Sequence, residues 1–441
     1  MSPRNRELLN LVVAAAVGGA AFASAWIVRD DGIVTSDWAR YVGVLAGLYV
    51  VAHLIVRLTA PFADPSLLPA AGLLTAVGLT TIYRLDPESA RKQLLWVVIG
   101  LGVFAAVLIT LRFDYRALER YKYVFGVTAI ALLLLPSLPE VGPIRGVRVN
   151  GVKLWVEIGS IRFQPGELAK IFLIVFLAAY LRDKRESLAR GRLKDLGPLL
   201  VIWGAAMLVF VQTSDLGSAL LNFGIFLAMV YVATGKPLYV LGGLALFVGG
   251  AAALYNALAR VQTRVTVWLH PWTDSPVFCS SNGQLELRQN CESYQLVKSL
   301  YSIGNGGFGG TGIGKGTFTT IEGQPLIPFL NTDFIYSAIA QEIGLIGACA
   351  LLLTIVVFVI RGMRIALIAQ DGFSKLLAAG LAFGLALQTF IIVGGVLRVV
   401  PLTGITMPFV SYGGSSILSN FVLLTLLLLV SHRAVFQARM R

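Results

Sequence analysis

Charge is what this 441-residue chain has least of: 13% of its residues are Asp, Glu, Lys or Arg, against 56% hydrophobic. A soluble domain averages about a quarter charged residues. Together with a mean hydropathy of +0.78, that scarcity excludes a water-surrounded fold. Histidine is nearly missing. His53, His270 and His432 share no motif, so a Ser–His–Asp relay has no support. Cysteine is equally scarce. Cys349 lies in an apolar run and reads as a packed residue, while Cys279 and Cys291 flank the polar stretch "SSNGQLELRQN". Two thiols without a close third ligand make a poor zinc site. On an extracytoplasmic loop they would suit a disulfide. Internal repeats and low-complexity tails are absent, and the short dyad-patterned strands of a β-barrel are not seen.

What is present is a series of long apolar runs. Twelve spans are expected, at 8–28, 41–59, 66–83, 94–111, 122–137, 167–181, 197–212, 216–234, 238–257, 334–360, 376–400 and 411–431. The fold class is therefore an all-α integral membrane protein. Basic residues give its orientation. "RFDYRALERYK", "RDKRESLARGRLK", the "RNRE" start, "RGMR" and the "SHRAVFQARMR" tail fall on one side of an alternating count, which makes that face cytoplasmic, with both termini inside. The opposite face carries 138–166, the turn at Asp215, the long segment 258–333 and 398–410. The first span ends in "AFASA", like a signal-peptidase site, but its apolar run continues to Val28 and reads as an uncleaved anchor. The net charge of +13 is spread over loops and suits anionic membrane lipids; with no basic domain, nucleic-acid binding is rejected.

One stretch, "NGGFGGTGIGKGT" at 305–317, imitates a nucleotide loop. Gly309 to Lys315 match G-x-x-x-x-G-K, but Gly316 stands where Ser or Thr would hold magnesium. The loop also falls on the extracytoplasmic face, where ATP is scarce. Two readings stay open: backbone amides and Lys315 cradling an anionic group, or a mobile glycine loop.

Polar groups crowd the same face in four places. In "NGVKLWVEIGSIRFQPGELAKI", Pro165 can start a helix that puts Glu167 and Lys170 on one side; with Arg162 they form a mixed-charge mouth for a phosphate-bearing ligand, beside an interfacial Trp155. Asp215 in "TSDLGSAL" is either a helix N-cap or a functional carboxylate. Asp333 in "IPFLNTDFIYSAIAQEIG" begins a span, and Gln341 and Glu342 carry polarity two turns further, beyond what a cap explains. In "LRVVPLTGITMPFVSYGGSS", prolines and glycines interrupt apolar sequence, as backbone lining a cavity does, and Arg398 adds a cation.

These stretches, with "SDLGSAL" and "SIGNGGFGGTGIGKG", resemble in order the motifs of the SEDS family (RodA, FtsW, SpoVE), over roughly residues 66–431. The resemblance implies a ten-helix core at 63–441, containing the extracytoplasmic loop 258–333. Residues 1–62 look like the two-helix addition of actinobacterial RodA-like members, and "QPGE" and "TMPFVSYGGSS" resemble the RodA branch. It also implies a peptidoglycan glycosyltransferase of the bacterial cytoplasmic membrane that joins lipid II to the nascent glycan strand and works with a class B penicillin-binding protein. The family's essential aspartate falls on Asp333, and its Gln-Pro-Ser-Glu-x-x-Lys motif on Gln164, Pro165, Gly166, Glu167 and Lys170. Leu154, Phe329, Asn331 and Ile392 stand where many members carry Arg, Glu, His and Asn, which removes any accessory role of those groups here. The expected chemistry is one inverting displacement, with Asp333 as base and Lys170, Arg162, Lys315 or Arg398 meeting the undecaprenyl diphosphate, with or without Mg or Mn. A lipid II flippase and a non-catalytic scaffold for the transpeptidase are the rivals. Against transport, the polar motifs crowd one face and no inverted repeat is visible. A scaffold would tolerate loss of Asp333.

Overall fold

The computed structural model is mainly helical and describes residues 2–29, 37–139, 144–149, 152–159, 161–190, 197–274, 276–279, 283–319 and 325–440. The chain runs α1 (Pro3–Arg29), α2 (Asp37–Thr59), α3 (Leu67–Leu85), α4 (Pro87–Leu111), the single turn α5 (Ala117–Arg120) and α6 (Lys122–Leu134). Three strands follow, β1 (Ile144–Val149), β2 (Val152–Ile158) and β3 (Ile161–Phe163), before α7 (Pro165–Ala189), α8 (Gly197–Gln212), α9 (Leu216–Thr234) and α10 (Pro237–Ala257). The long connecting segment holds α11 (Ala259–Leu269), β4 (Val277–Phe278), β5 (Leu285–Glu286) and α12 (Tyr294–Gly306). The chain ends in α13 (Ile335–Ile368), α14 (Gly372–Val396) and α15 (Gly414–Arg439).

The twelve expected spans coincide in order with α1–α4, α6–α10 and α13–α15. Among the described residues, nine of these are long and apolar enough to cross a membrane, and α6 and α8 are shorter apolar helices. Helix α7 differs because Glu167 and Lys170 sit in its first turns and "RDKRE" near its end. Start signals are local: Asp86, Asp215 and Asp371 each cap the helix that follows, accepting from the backbone N–H of Glu88, Ser218 and Ser374 at 3.0 Å. Helix α9 stops at Gly235, whose φ of +67° suits a left-handed C-cap.

Burial sorts the helices. The spans of α15 and α14 are 89% and 78% buried, whereas that of α10 is 6% buried and presents Leu238, Leu241 and Leu246 outward, as a lipid-facing helix does. Rings at about 6 Å spacing link α4 to α13: Phe104 to Phe421 (6.2 Å), Phe421 to Phe409 and Phe409 to Phe358 (both 6.0 Å). Helix α1 packs on α3, α4 on α15, α6 on α7 and α13 on α14.

Both chain ends lie on one face. Near the start of α1, Arg4 donates to the carbonyl of Ala63; Phe62 N–H donates to His432 Nδ1 (3.2 Å), Asp64 N–H to Ser431 Oγ (2.9 Å), and Arg361 lies 3.6 Å from Asp64. The other face carries the structured connections. There β1, β2 and β3 form an antiparallel sheet, Val147 opposite Trp155 and Glu157 opposite Arg162. This sheet was not among the sequence expectations, although "IRGVRV-NG-VKLWVEI" carries hairpin alternation around an Asn-Gly turn; the turn residues lie outside the described residues. Cys279 and Cys291 are joined, Cα–Cα 5.9 Å, closing the β4–β5 hairpin.

Candidate functional site

Three of the polar stretches assemble on that second face around the fourth, the loop 397–413. Small residues let this loop come close. A Cβ on Gly78 would lie 2.3 Å from the carbonyl oxygen of Val410, one on Gly217 2.9 Å from Thr403 Cβ, and one on Gly414 2.1 Å from the Trp96 ring. Side chains then pin it: Gln93 donates to Ser411 O (3.2 Å) and accepts from Gly413 N–H (3.1 Å). The loop is stitched to the segment before Asp333, because Ser411 Oγ donates to Thr332 O (2.6 Å) and Tyr412 N–H to Asn331 O (2.9 Å).

Asp333 therefore faces this loop at the mouth of α13, partly buried, 3.4 Å from where a Cβ on Gly404 would sit. Gly404 has φ +76°, so the position favours glycine. Burial pushes the Asp333 carboxyl from its ordinary 3.8 up to about 7, opposed by the positive charge of Arg264. Arg264 comes from α11 and donates to Thr403 O at 3.4 Å. The same cation acts on Asp215, whose carboxyl burial also raises, against the helix-start hydrogen bonds of Ser218. Asp215 thus caps α9 and also shares a cation with Asp333. Sequence reasoning missed Arg264, because a basic residue in a polar extramembrane segment carries no distinguishing signal.

A second cluster lies at the start of α7. Lys170 is 4% exposed and donates to Glu167 Oε2 (3.0 Å) and Gln388 Oε1 (2.7 Å). Gln388 in turn donates to Thr406 O (2.8 Å), and Ser419 Oγ to Glu167 Oε2 (3.3 Å). Lys170 is thereby a cross-link between α7, α14 and the 397–413 loop. Gln164 joins through its backbone N–H, which donates to Ser415 Oγ (2.6 Å). Ile392, buried one turn from Gln388, adds no polar group.

The glycine loop is neither a free anion nest nor a loose tether, since its backbone is used up on α13. Thr311 N–H and Gly312 N–H donate to Gln341 O and Glu342 O (2.9 and 3.0 Å), and Leu345 N–H to Gly307 O (2.9 Å), across a break in α13 at Gly344 (φ +67°). A Cβ on Gly310 would lie 2.2 Å from Glu342 O. Glu342 accepts from Gly314 N–H (3.0 Å) and pairs with Arg84 (3.3 Å), which donates to Gly314 O (2.7 Å). The polarity of Glu342 inside an apolar helix is thus explained by a loop docked against it. Lys315 is exposed and makes no ion pair among the described residues.

The remaining candidates separate. Arg162 is exposed on β3, and Trp155 is half-buried on β2. Arg398 is already engaged: its guanidinium donates to Trp268 O (2.7 Å) and Leu269 O (2.9 Å), capping the last turn of α11, and stacks 5.4 Å from the Trp272 ring. The backbone shows the same concentration. Ser214, Phe329, Arg398 and Phe409, the non-glycine residues with positive φ among those described (+57° to +63°), all lie on this face. Such strain costs on the order of 1–3 kcal/mol each and clusters at functional sites. Among the described residues no three His, Cys, Asp or Glu side chains gather as metal ligands, so a Mg or Mn ion at this face would need the diphosphate oxygens to complete its shell.

Known proteins share this arrangement of helices. A solved chain from a study of the structural coordination of polymerization and crosslinking by a peptidoglycan synthase complex superposes with a TM-score of 0.67 at 26% identity, covering 85% of this chain and 99% of its own. The peptidoglycan glycosyltransferase RodA of Mycobacterium leprae is 39% identical over 99% of this chain and 92% of its own length. Stage V sporulation protein E of Bacillus subtilis is 32% identical over 81% and 94%. The cell cycle protein family model FtsW/RodA/SpoVE matches residues 66–435, and the chain belongs to that family.

Proposed function

We propose that this chain is a peptidoglycan glycosyltransferase that polymerises lipid II on the outer face of the bacterial cytoplasmic membrane. The observation that carries the reading is Asp333, a partly buried carboxyl held near pKa 7 beside Arg264, at the rim of a strained, glycine-spaced loop. The names of the mycobacterial and bacillar relatives support it.

A general base works best with a pKa near the operating pH, and Asp333 meets that condition. In the proposed step the C4 hydroxyl of a GlcNAc attacks the anomeric carbon of the growing strand's MurNAc and gives its proton to Asp333. The new O–C1 bond forms as the bond from C1 to the diphosphate oxygen breaks, and undecaprenyl diphosphate leaves with the electron pair. A single displacement turns the α-linked donor into a β-1,4 link. Charge developing on the diphosphate needs cations already in place. Arg264, Arg162 and Lys315 are available on this face, whereas Arg398 is spent on carbonyls and Lys170 on Glu167 and Gln388. Glu167 and Lys170 position α7 against α14.

The proposal extends to a class B penicillin-binding protein as partner, supported by the likeness to a chain of a synthase complex. Both termini are placed in the cytoplasm, supported by the basic loops that share their face. Residues 1–62 are taken as a two-helix addition to the core at 63–441. Purified chain supplied with lipid II tests the reading: glycan should form with the parent and be lost with Asp333→Asn, and a flippase would move lipid II without forming glycan.

A further inference from the structure

On the face that carries both termini, Phe113, α5, the start of α6, the end of α7 and Arg433 of α15 enclose an open basin of about 630 Å³. Its lining includes the cations Arg116, Arg120, Lys122, Arg182 and Arg433, against Asp114, Glu119 and Asp183. The carboxylates are unevenly shared. Asp183 takes Lys122 and Arg182, and Glu119 takes Arg182 at 2.7 Å. Asp371, beside the basin, is committed to capping α14 through Ser374 N–H (3.0 Å) and Ser374 Oγ (2.8 Å). Arg116 is left with contacts of 3.9 Å to Glu119 and Asp371, and its buried Nε has no hydrogen-bond partner among the described residues. Arg433 sits 3.9 Å from Asp114, and Arg120 has no carboxylate partner among the described residues. Three underpaired guanidinium groups thus converge on one basin, where an oxyanion with several acceptors would complete them.

The surroundings identify what brings that oxyanion. Helix α4 ends at Leu111 and α6 begins at Lys122, so the ends of both helices adjoin the basin. Apolar side chains near those ends are exposed: Ile109 on α4, and Tyr123, Val124 and Val127 on α6, with Phe113 78% exposed in the basin's lining. A basic basin bordered by the exposed apolar ends of membrane helices suits a lipid, headgroup inward and chains along the helices. We infer that the basin binds the phosphodiester headgroup of an acidic phospholipid of the inner leaflet, its acyl chains lying along the ends of α4 and α6. This site is on the opposite face from Asp333 and does not depend on the proposed reaction.

The test uses the full chain in nanodiscs of phosphatidylcholine alone or doped with phosphatidylglycerol, with retained lipid counted by native mass spectrometry. The parent should retain phosphatidylglycerol over phosphatidylcholine. Arg120→Gln, an exposed change that leaves packing untouched, should weaken the preference about fivefold, and Arg116→Gln with Arg120→Gln by more than tenfold. Lys298→Gln, on the other face, should leave it unchanged. Equal retention by the parent and the Arg120→Gln chain would overturn the assignment. So would equal protection against thermal unfolding by inorganic phosphate and by phosphatidylglycerol, which would make the ligand a free anion.

Discussion

At the scale of single residues, Asp333 is held in a condition that favours its neutral form. Its folded-state pKa of about 7 lies above the ordinary 3.8, so its contribution to stability is complete below 3.8 and is lost as pH rises through about 7. Asp333→Asn removes an ionisation that opposes folding at pH 8, so its thermal midpoint there should equal or exceed the parent's while polymerisation is lost. The rate of the parent should rise with pH through an acid limb near 7, because only the ionised carboxyl accepts a proton. Arg264→Gln removes the opposing cation; it should move that limb to higher pH and slow turnover at pH 7, readable from pH–rate profiles of both chains. Lys170→Met should act differently, since it strands Glu167 and Gln388 and should cost about 3 kcal/mol or more of stability, checked by denaturation in detergent.

At the scale of elements, the glycine loop and α13 form one unit. Gly310→Ala places a methyl against Glu342 O at a residue with φ +81°, and should undock the loop and reduce activity at least tenfold. Lys315→Ala should leave the loop docked and the thermal midpoint unchanged, because that side chain makes no ion pair among the described residues, yet removing one of the cations offered to the diphosphate should slow turnover about tenfold, which single-turnover assays of the two variants will compare. Much of this unit was legible in sequence. Gln341 and Glu342 stood out because polar groups in an apolar helix need a reason. What could not be read was the reason itself: their carbonyls and carboxylate receive the amides of a segment some 30 residues earlier. Arg264 and Gln388 were silent for the same cause. Each has an ordinary identity for its local surroundings, and only the assembled loop 397–413 brings them to Asp333 and Lys170. The β1–β3 sheet did have a local signature, the Asn-Gly pair within alternating sequence, outweighed by the hydropathy of the helices around it.

At the scale of the whole molecule, hydropathy and Lys/Arg placement made the twelve helices and their alternation readable, since length and apolarity are set by the bilayer and not by tertiary detail. Alternation alone placed the four polar motifs on one face, and the structure brings three of them within a few ångströms of the fourth, the loop 397–413. The opposite face gathers basic side chains and both chain ends. Under the proposed orientation, a bundle with its charges sorted this way has one outward rim for chemistry and one basic rim for the inner leaflet. The central claim is that the outward rim, through Asp333, polymerises lipid II. The most direct measurement is the glycan formed from purified lipid II by the parent and by Asp333→Asn, alone and with the cognate transpeptidase, with folding verified by thermal midpoint. Polymer from the parent and at least a hundredfold less from the variant is expected. Polymer made equally by both chains would contradict the assignment.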